Sequence, residues 1–349
     1  MVLMADRSGQ LFCGVWLEST PTMQTRDASF PKALVLAASP EELIDEAERN
    51  GVPDIVFCDT LSAIEAIMRQ HNPDCLAVFH DVDFRGSELA AASHFPTVKW
   101  VHCSGAGTDF LGETPREDIW ITNIGTGRAK AQAQTVMGAI IALNRRFPYA
   151  AHRQQERVWD PYVFDDLAGQ NLLIVGTGAI GSNLAKIAKA MDMNTWGVSR
   201  TPKHLVHFDR VIGYDDMDAA LTEADVVSLH VPLTASTARL FDAERLARLK
   251  KSAIFVNTAR GPIADEIALA ELLQNHAIAG AFLDVFETEP LPVTSPLWHA
   301  PNTLIMPHNS NLTKNWRTAS LGVFLSHLEN WRQRRPLQNI VQRPSGESE

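Results

Sequence analysis

The run Gly176-Thr177-Gly178-Ala179-Ile180-Gly181 ends the apolar stretch LLIV and opens the helical pattern AIGSNLAKIAKAM. Few folds can use glycines at this spacing between a strand and a helix. Gly176 permits a tight turn, Gly178 lets backbone approach a pyrophosphate, and Gly181 lets helix and strand pack closely. The helix N-terminus then offers N–H groups to phosphate oxygens. The motif predicts a doubly wound sheet that binds a dinucleotide, with Ala179 and Ile180 at the first turn of the binding helix.

The surrounding pattern agrees. From Asn171 the runs NLLIVG, NTWGVS, DRVIGY, ADVVSLHV, AIFVNT, AGAFLDV and NTLIMP have the length and content of buried parallel strands. Upstream, ALVLAAS, DIVFCD and CLAVFH alternate with the helical patterns PEELIDEAERN and LSAIEAIMRQ, which predicts a second parallel α/β unit. A helical stretch over residues 128–147 and the polar, Trp-bearing segment HRQQERVWDPYVFDDLAGQ form the boundary region. After His308, NWRTASLGVFLSHLENWRQ is a last helix that can return to the first domain. Residues 1–31 precede the first clear strand pattern, which begins at Lys32, and are read as an N-terminal extension of unknown role.

Composition bounds the partners. With 31 Lys and Arg against 41 Asp and Glu, the net charge of −10 disfavours a general nucleic-acid or anionic-membrane surface. The basic cluster Arg332 to Arg335 ends a helical pattern, where cations offset the helix dipole. Cys13, Cys58, Cys75 and Cys103 lack metal-binding spacing and read as thiols of a reducing compartment, so no metal site is expected. No apolar run reaches the about 18 to 20 residues that span a bilayer. The segment LFCGVW lacks the basic flank and cleavage site of a signal peptide. A cytoplasmic protein is expected.

About 20 residues beyond the glycines, an acid usually grips the ribose 2′-hydroxyl. In VSRTPKH that place holds Ser199, followed by Arg200 and Thr201. A carboxylate repels a 2′-phosphate, whereas hydroxyls and a guanidinium bind it through charge-assisted hydrogen bonds. The reading is a preference for NADP(H), with NAD(H) as the alternative. Lys203 and His204 add positive potential nearby.

Three more strand ends carry polar residues that packing does not require. Arg260 follows AIFVN, Asp284, Glu287 and Glu289 follow AGAFL, and His308 follows NTLIM. In an open α/β sheet these C-terminal ends surround the ligand crevice. All three are expected to face the cofactor.

Taken together, GTGAIG, SLHVPLTAST, NTARG, LDVFETEPLP and PH, in this order and spacing, resemble the D-isomer-specific 2-hydroxyacid dehydrogenase family from about Val98 onward. The resemblance implies an α/β protein of two Rossmann-like domains, a central doubly wound cofactor domain clasped by a discontinuous, flavodoxin-like substrate domain. On this chain the substrate domain is expected over residues 1–127 and 311–349, and the NADP-binding domain over 128–310. It further implies that Arg260 holds the carboxylate and carbonyl oxygen of a 2-oxo acid and stabilises the developing alkoxide. His308 matches the proton donor, and Glu289 the carboxylate that orients its ring. Glu287 is read as a surface carboxylate.

By the same resemblance, backbone N–H groups of the VHCSGAGTDF loop receive the substrate carboxylate, at Ala106 and Gly107 with Ser104 and Gly105 adjoining. Asp284 matches the residue that holds the nicotinamide carboxamide. Thr258 and Ala259 line that region, and His230, Val231 and Pro232 flank the adenosine half.

Departures matter as well. After the histidine many relatives have small residues, where this chain has Asn309, Ser310 and Asn311. Either the amides make the pocket more polar or one caps the following helix. AQAQTV replaces a commoner acid-bearing pattern at the start of the long helix. The expected function is an NADP(H)-dependent 2-oxo acid reductase of the glyoxylate or hydroxypyruvate type, working on a small anionic acid as a homodimer. The alternatives are a dinucleotide-sensing corepressor-like protein and a formate- or phosphite-type dehydrogenase. Against the formate branch stands Glu289, where that branch usually has an amide.

Overall fold

A computed structural model describes residues 3–5, 11–13, 31–52, 55–79, 87–111 and 116–345, with no side chains for 3–5, 11–13 or 109. The chain divides into one unit of Met1–Gly125 with Lys314–Glu349 and another of Thr126–Thr313. The first holds strands β1 (Leu3–Ala5), β2 (Leu11–Cys13), β3 (Ala33–Leu36), β4 (Ile55–Cys58), β5 (Cys75–Val78), β6 (Trp100–Cys103) and β7 (Trp120–Asn123). The second holds β8 (Asn171–Val175), β9 (Asn194–Val198), β10 (Arg210–Ile212), β11 (Val226–Leu229), β12 (Ile254–Asn257), β13 (Gly280–Leu283) and β14 (Thr303–Ile305). Strand β15 (Ile340–Gln342) returns to the first unit and pairs antiparallel with β7.

The Thr126–Thr313 sheet runs β10-β9-β8-β11-β12-β13-β14 with every neighbouring pair parallel. Counted from β8 this is the 3-2-1-4-5-6 order of dinucleotide-binding sheets plus one strand, with order reversing between β8 and β11. Alternate residues of β8 serve opposite faces. Leu172 and Ile174 pack under the helices Ala129–Asn144 and Ala179–Lys189, while Leu173 and Val175 join the layer of Met217, Leu246 and Leu269. Both faces are covered, which is why these strands read as continuous apolar runs.

In the other unit, β7-β6-β5-β3-β4 are parallel, the 2-1-3-4-5 order of flavodoxin-like sheets when counted from β3. Leu34 and Leu36 face the layer containing Ile64, Ile67 and Leu89. Ala33 and Val35 face the helices Glu41–Arg49 and Trp316–Arg332. Strands β6, β7 and β15 are absent from the pattern reading because each is only three or four residues long and begins or ends at a tryptophan or polar residue. Most of the 1–31 extension lies outside the described residues. Its Leu3–Ala5 lies parallel to β4, and Leu11–Cys13 pairs antiparallel with it.

The helix expected over 128–147 stops at Asn144, and a second helix spans Phe147–Gln155. Arg146 between them is left-handed at φ 54°, and Pro148 sits in the first turn of the second helix, where its missing N–H is harmless. Cys58, Cys75 and Cys103 are buried free thiols, with Cys58 pushed up to about 11 by burial. The Cys13 side chain lies outside the described residues. Among the described residues no helix is long and apolar enough to cross a membrane, and no group of three His, Cys, Asp or Glu side chains could hold a metal.

The first unit's core contains an imidazole pair. His102 and His327 are fully buried with ring centroids 5.3 Å apart, and the Thr122 hydroxyl joins His102 Nδ1 (2.9 Å) and Trp100 Nε1 (2.8 Å). Burial, then the charge of His327, lowers His102 from 6.5 to about 3, and burial also lowers His327. A histidine depressed in the folded state is stabilising only above its unfolded pKa, because below it the unfolded chain binds the proton first. Stability is therefore expected to fall as pH drops from 6.5 towards 3, by about 2 kcal/mol at pH 5 from His102 alone. Urea titrations read by tryptophan emission at pH 7 and 5 check this. In His102→Gln the pH-dependent part should shrink, and an unchanged slope would assign the acid sensitivity elsewhere.

Candidate active site

Gly176 ends β8 at φ 104°, where side chains are disfavoured, and a β-carbon there would strike the His230 carbonyl oxygen. At Gly181 a β-carbon would collide with the Gly176 carbonyl oxygen and lie 2.9 Å from Ile174 Cγ2. Gly178 differs from both, since a β-carbon added there would meet nothing within 4 Å. It stands at the N-cap of the helix Ala179–Lys189, so Ala179 and Ile180 begin a helix whose first N–H groups have no intrahelical acceptors. Two glycines thus set the turn and the packing, and the third keeps the approach open.

Next to this turn β9 ends at Val198. Ser199 donates its N–H to the Ile212 carbonyl (3.0 Å), and its hydroxyl accepts from the Thr201 N–H (3.4 Å). Arg200 and Thr201 are exposed, as are Lys203 and His204. Among the described residues Arg200 makes no salt bridge. Its charge acts on Tyr214, two residues beyond β10, whose hydroxyl is pushed up mainly by burial. The end of β11 is tied to β8 by the His230 N–H donating to the Val175 carbonyl (2.7 Å). The His230 ring meets Ser228 Oγ through Nε2 (2.9 Å), and burial lowers it to about 3, so it is neutral. Val231 is buried beside Gly176 and Pro232 is exposed.

Strands β12, β13 and β14 are parallel neighbours, so Thr258, Ala259, Arg260, Asp284, Glu289 and His308 all leave the same edge of the sheet. The Asn257 side chain shapes the first exit, accepting from the Ala259 N–H (3.1 Å) and donating to the Arg260 carbonyl (3.0 Å). A β-carbon on Gly261 would overlap the Phe286 carbonyl and Glu287 nitrogen, so this glycine lets the Arg260 loop lie against the Glu289 loop. Glu289 Oε1 accepts from the Phe286 N–H (3.1 Å) and Oε2 meets His308 Nδ1 at 2.8 Å. A carboxylate only accepts, so the hydrogen shared in this pair belongs to Nδ1.

His308 is itself left-handed at φ 53°, and Asp284 holds the turn that follows. Oδ1 of Asp284 accepts from the N–H groups of Asn309 (2.8 Å) and Ser310 (3.1 Å), and Oδ2 from the Ser310 N–H (3.2 Å) and hydroxyl (2.5 Å). Burial raises this carboxyl above its ordinary range, while those hydrogen bonds and the nearby His308 oppose the shift. Three donors, the Asn309 and Ser310 N–H groups and the Ser310 hydroxyl, thus occupy most of the roughly four acceptor sites of this carboxylate. Neither asparagine caps the last helix, which begins at Trp316 with Asn315 at its N-cap.

The long helix reaches the same edge. Gln132, 5% exposed, donates to the Thr258 carbonyl (2.7 Å) and accepts from Asn311 Nδ2 (3.4 Å), while Thr135 donates to the Ser310 carbonyl (2.7 Å). Gln132 therefore spans the Arg260 and His308 loops. The AQAQTV departure signals a change at this helix, but only the fold shows what the amide joins. Gly261 and Ser310 were likewise passed over, their partners lying 25 or more residues away in sequence. Glu287 is exposed, the surface carboxylate the sequence suggests, and lies 3.6 Å from Arg239.

In the other unit, residues 104–107 follow β6. Ser104 is buried with its N–H on the Val78 carbonyl (2.9 Å), and the Asn123 amide donates to the Ala106 carbonyl (2.8 Å). Among the described residues the N–H groups of Gly105, Ala106 and Gly107 have no hydrogen-bond acceptor.

The glycine cradle fits a dinucleotide pyrophosphate. Beside it at His230, and at Thr258 after β12, His230 Nδ1 and Thr258 Oγ1 are buried polar atoms with no partner among the described residues, as a site built for a polar ligand would have.

Residues 137–310 match the model of the D-isomer specific 2-hydroxyacid dehydrogenase NAD binding domain. Glyoxylate reductase of Thermofilum pendens is 34% identical over 234 residues, covering 62% of this chain and 67% of that protein. Glycerate dehydrogenase of Methylorubrum extorquens is 30% identical over 279 residues, covering 76% and 85%. Among solved structures, a D-isomer specific 2-hydroxyacid dehydrogenase from Xanthobacter autotrophicus in complex with NADPH and MES is similar with a TM-score of 0.75, at 27% identity, over 89% of this chain and 98% of that one.

Proposed function

This chain belongs to the D-isomer specific 2-hydroxyacid dehydrogenase family, and on that premise we propose that it is an NADPH-preferring reductase of small 2-oxo acids such as glyoxylate or hydroxypyruvate. The observation that carries the reading is the Glu289–His308 hydrogen bond at the strand edge that also bears Arg260. The bound dinucleotide supplies the hydride. Arg260 holds the anionic substrate and stabilises oxygen charge as the carbonyl becomes an alkoxide. His308, with Nδ1 held by Glu289, gives its Nε2 proton to that oxygen, and in the oxidative direction takes it back.

The glycine cradle, with Ala179 and Ile180, holds the pyrophosphate in this reading. His230, Val231 and Pro232 flank the adenosine half, and Thr258 and Ala259 the nicotinamide half. Asp284 is assigned to the nicotinamide carboxamide, besides holding the turn after His308. The N–H groups at Ala106 and Gly107, with Ser104 and Gly105 adjoining, are assigned to the substrate carboxylate. Residues 128–310 form the NADP-binding domain, and 1–127 with 311–349 the substrate domain. Turnover of NADPH with a panel of 2-oxo acids tests the reaction, and no turnover with any of them would refute it.

Ser199, Arg200 and Thr201 support the NADPH preference through the 2′-phosphate. An interaction of this charged kind contributes about 1.5–3 kcal/mol. Arg200→Asp is accordingly expected to weaken NADPH by roughly 10- to 100-fold or more and NADH little. Equal losses for both, measured as kcat/KM, would return Arg200 to the solvated surface.

The protein is further proposed to be a cytoplasmic homodimer. The helix Phe147–Gln155 buries none of its residues within the chain, and Trp159 and Val163 beyond it are 94% and 90% exposed. Such apolar surface calls for a partner. Elution as a monomer in gel filtration would remove the dimer.

A further inference from the structure

We propose that Glu266 is a positioning residue for proton transfer, anchoring the loop from which Glu289 reaches His308; this inference rests on the reading of Glu289 and His308 as the proton-donating pair. Glu266 begins the helix Glu266–Gln274, whose N-cap is Asp265. Its Oε2 accepts from the Glu287 N–H at 3.0 Å, across 21 residues of sequence. Glu287 is two residues before Glu289, in the short stretch that must hold the carboxylate on the imidazole.

That stretch is held at three further points. Gly261 lies against the Phe286 and Glu287 backbone, the Phe286 N–H donates to Glu289 Oε1, and Arg239 bridges Asp265 (2.7 Å) and the Glu287 side chain (3.6 Å). Glu266 adds an anchor from a side-chain acceptor on a neighbouring helix. Its place near the helix N-terminus favours the anion. Half-burial and then the charge of Glu287 raise its carboxyl, while the Glu287 N–H opposes the rise. Among the charged groups, Glu287 acts on Glu266, Arg239 joins Asp265 to Glu287, and Glu289 and Asp284 adjoin His308.

Removing the acceptor frees the Glu287 amide and loosens the base from which Glu289 orients the ring. In Glu266→Ala the low-field proton signal of the His308–Glu289 hydrogen bond, identified as the one absent from His308→Gln, is expected to weaken. The kcat/KM for reduction should fall roughly ten-fold, with KM for NADPH unchanged. Glu266→Gln keeps an acceptor oxygen and should restore both. If Glu266→Ala is not recovered folded, Glu266→Asp, one methylene short, carries the same test. A full low-field signal and rate in these variants, with only the melting temperature changed, would overturn the proposal, as would a Gln variant as impaired as the Ala variant. Should His308→Gln itself reduce substrate normally, the functional reading fails instead, and the signal in Glu266→Ala still decides the anchor.

Discussion

Arg260→Ala is expected to lower kcat/KM for 2-oxo acid reduction by on the order of 10²–10³-fold, the cost of removing a fixed donor from a developing oxyanion. The loss should appear in both parameters. KM rises because the anionic substrate loses its cation, and kcat falls because the same guanidinium meets the alkoxide as charge moves onto oxygen. The planar fork matters as well as the charge, so Arg260→Lys should recover only part of the rate. The side chain starts from a defined backbone, with Asn257 bonded on both sides of Ala259 and the following Gly261 packed against the Phe286–Glu287 peptide. Steady-state kinetics against a 2-oxo acid decide the matter. If KM alone rises while kcat holds, Arg260 binds substrate and transition state equally and is not the oxyanion group.

His308→Gln should cost about 10²–10⁴-fold in kcat, the range for losing a general acid, and should leave NADPH affinity intact. A variant with wild-type kcat would place the proton source elsewhere. Removing Glu289 is a milder change, since the imidazole remains while the carboxylate at 2.8 Å that selects its tautomer is lost.

The fold class was readable because parallel strands covered on both faces must be apolar throughout. NLLIV, ADVVSL and AIFVN announce themselves for this reason, and the glycines fix where the first turn lies. Short strands escaped. Trp120–Asn123 lies between Trp100–Cys103 and Ile340–Gln342, and these short strands owe their state to that pairing, which local pattern does not encode. The break at Arg146 was hidden for a related reason: alanine-rich periodicity continues across it, and only the left-handed residue and Pro148 mark the new helix.

By itself the sequence determined the doubly wound architecture and which residues stand at the strand ends: Arg260, Asp284, Glu289 and His308 each follow an apolar run by a few residues, so covalent continuity puts them at the sheet's edge. Tertiary structure decided what each one touches. Asp284 turns its oxygens to the Asn309–Ser310 turn, Gln132 links two loops 126 and 179 residues from itself, and Glu266 holds the Glu287 amide. Hydrophobic periodicity is a local property, written every two or 3.6 residues. A hydrogen bond needs donor and acceptor within about 3 Å, a condition that only the packed strands and helices can meet.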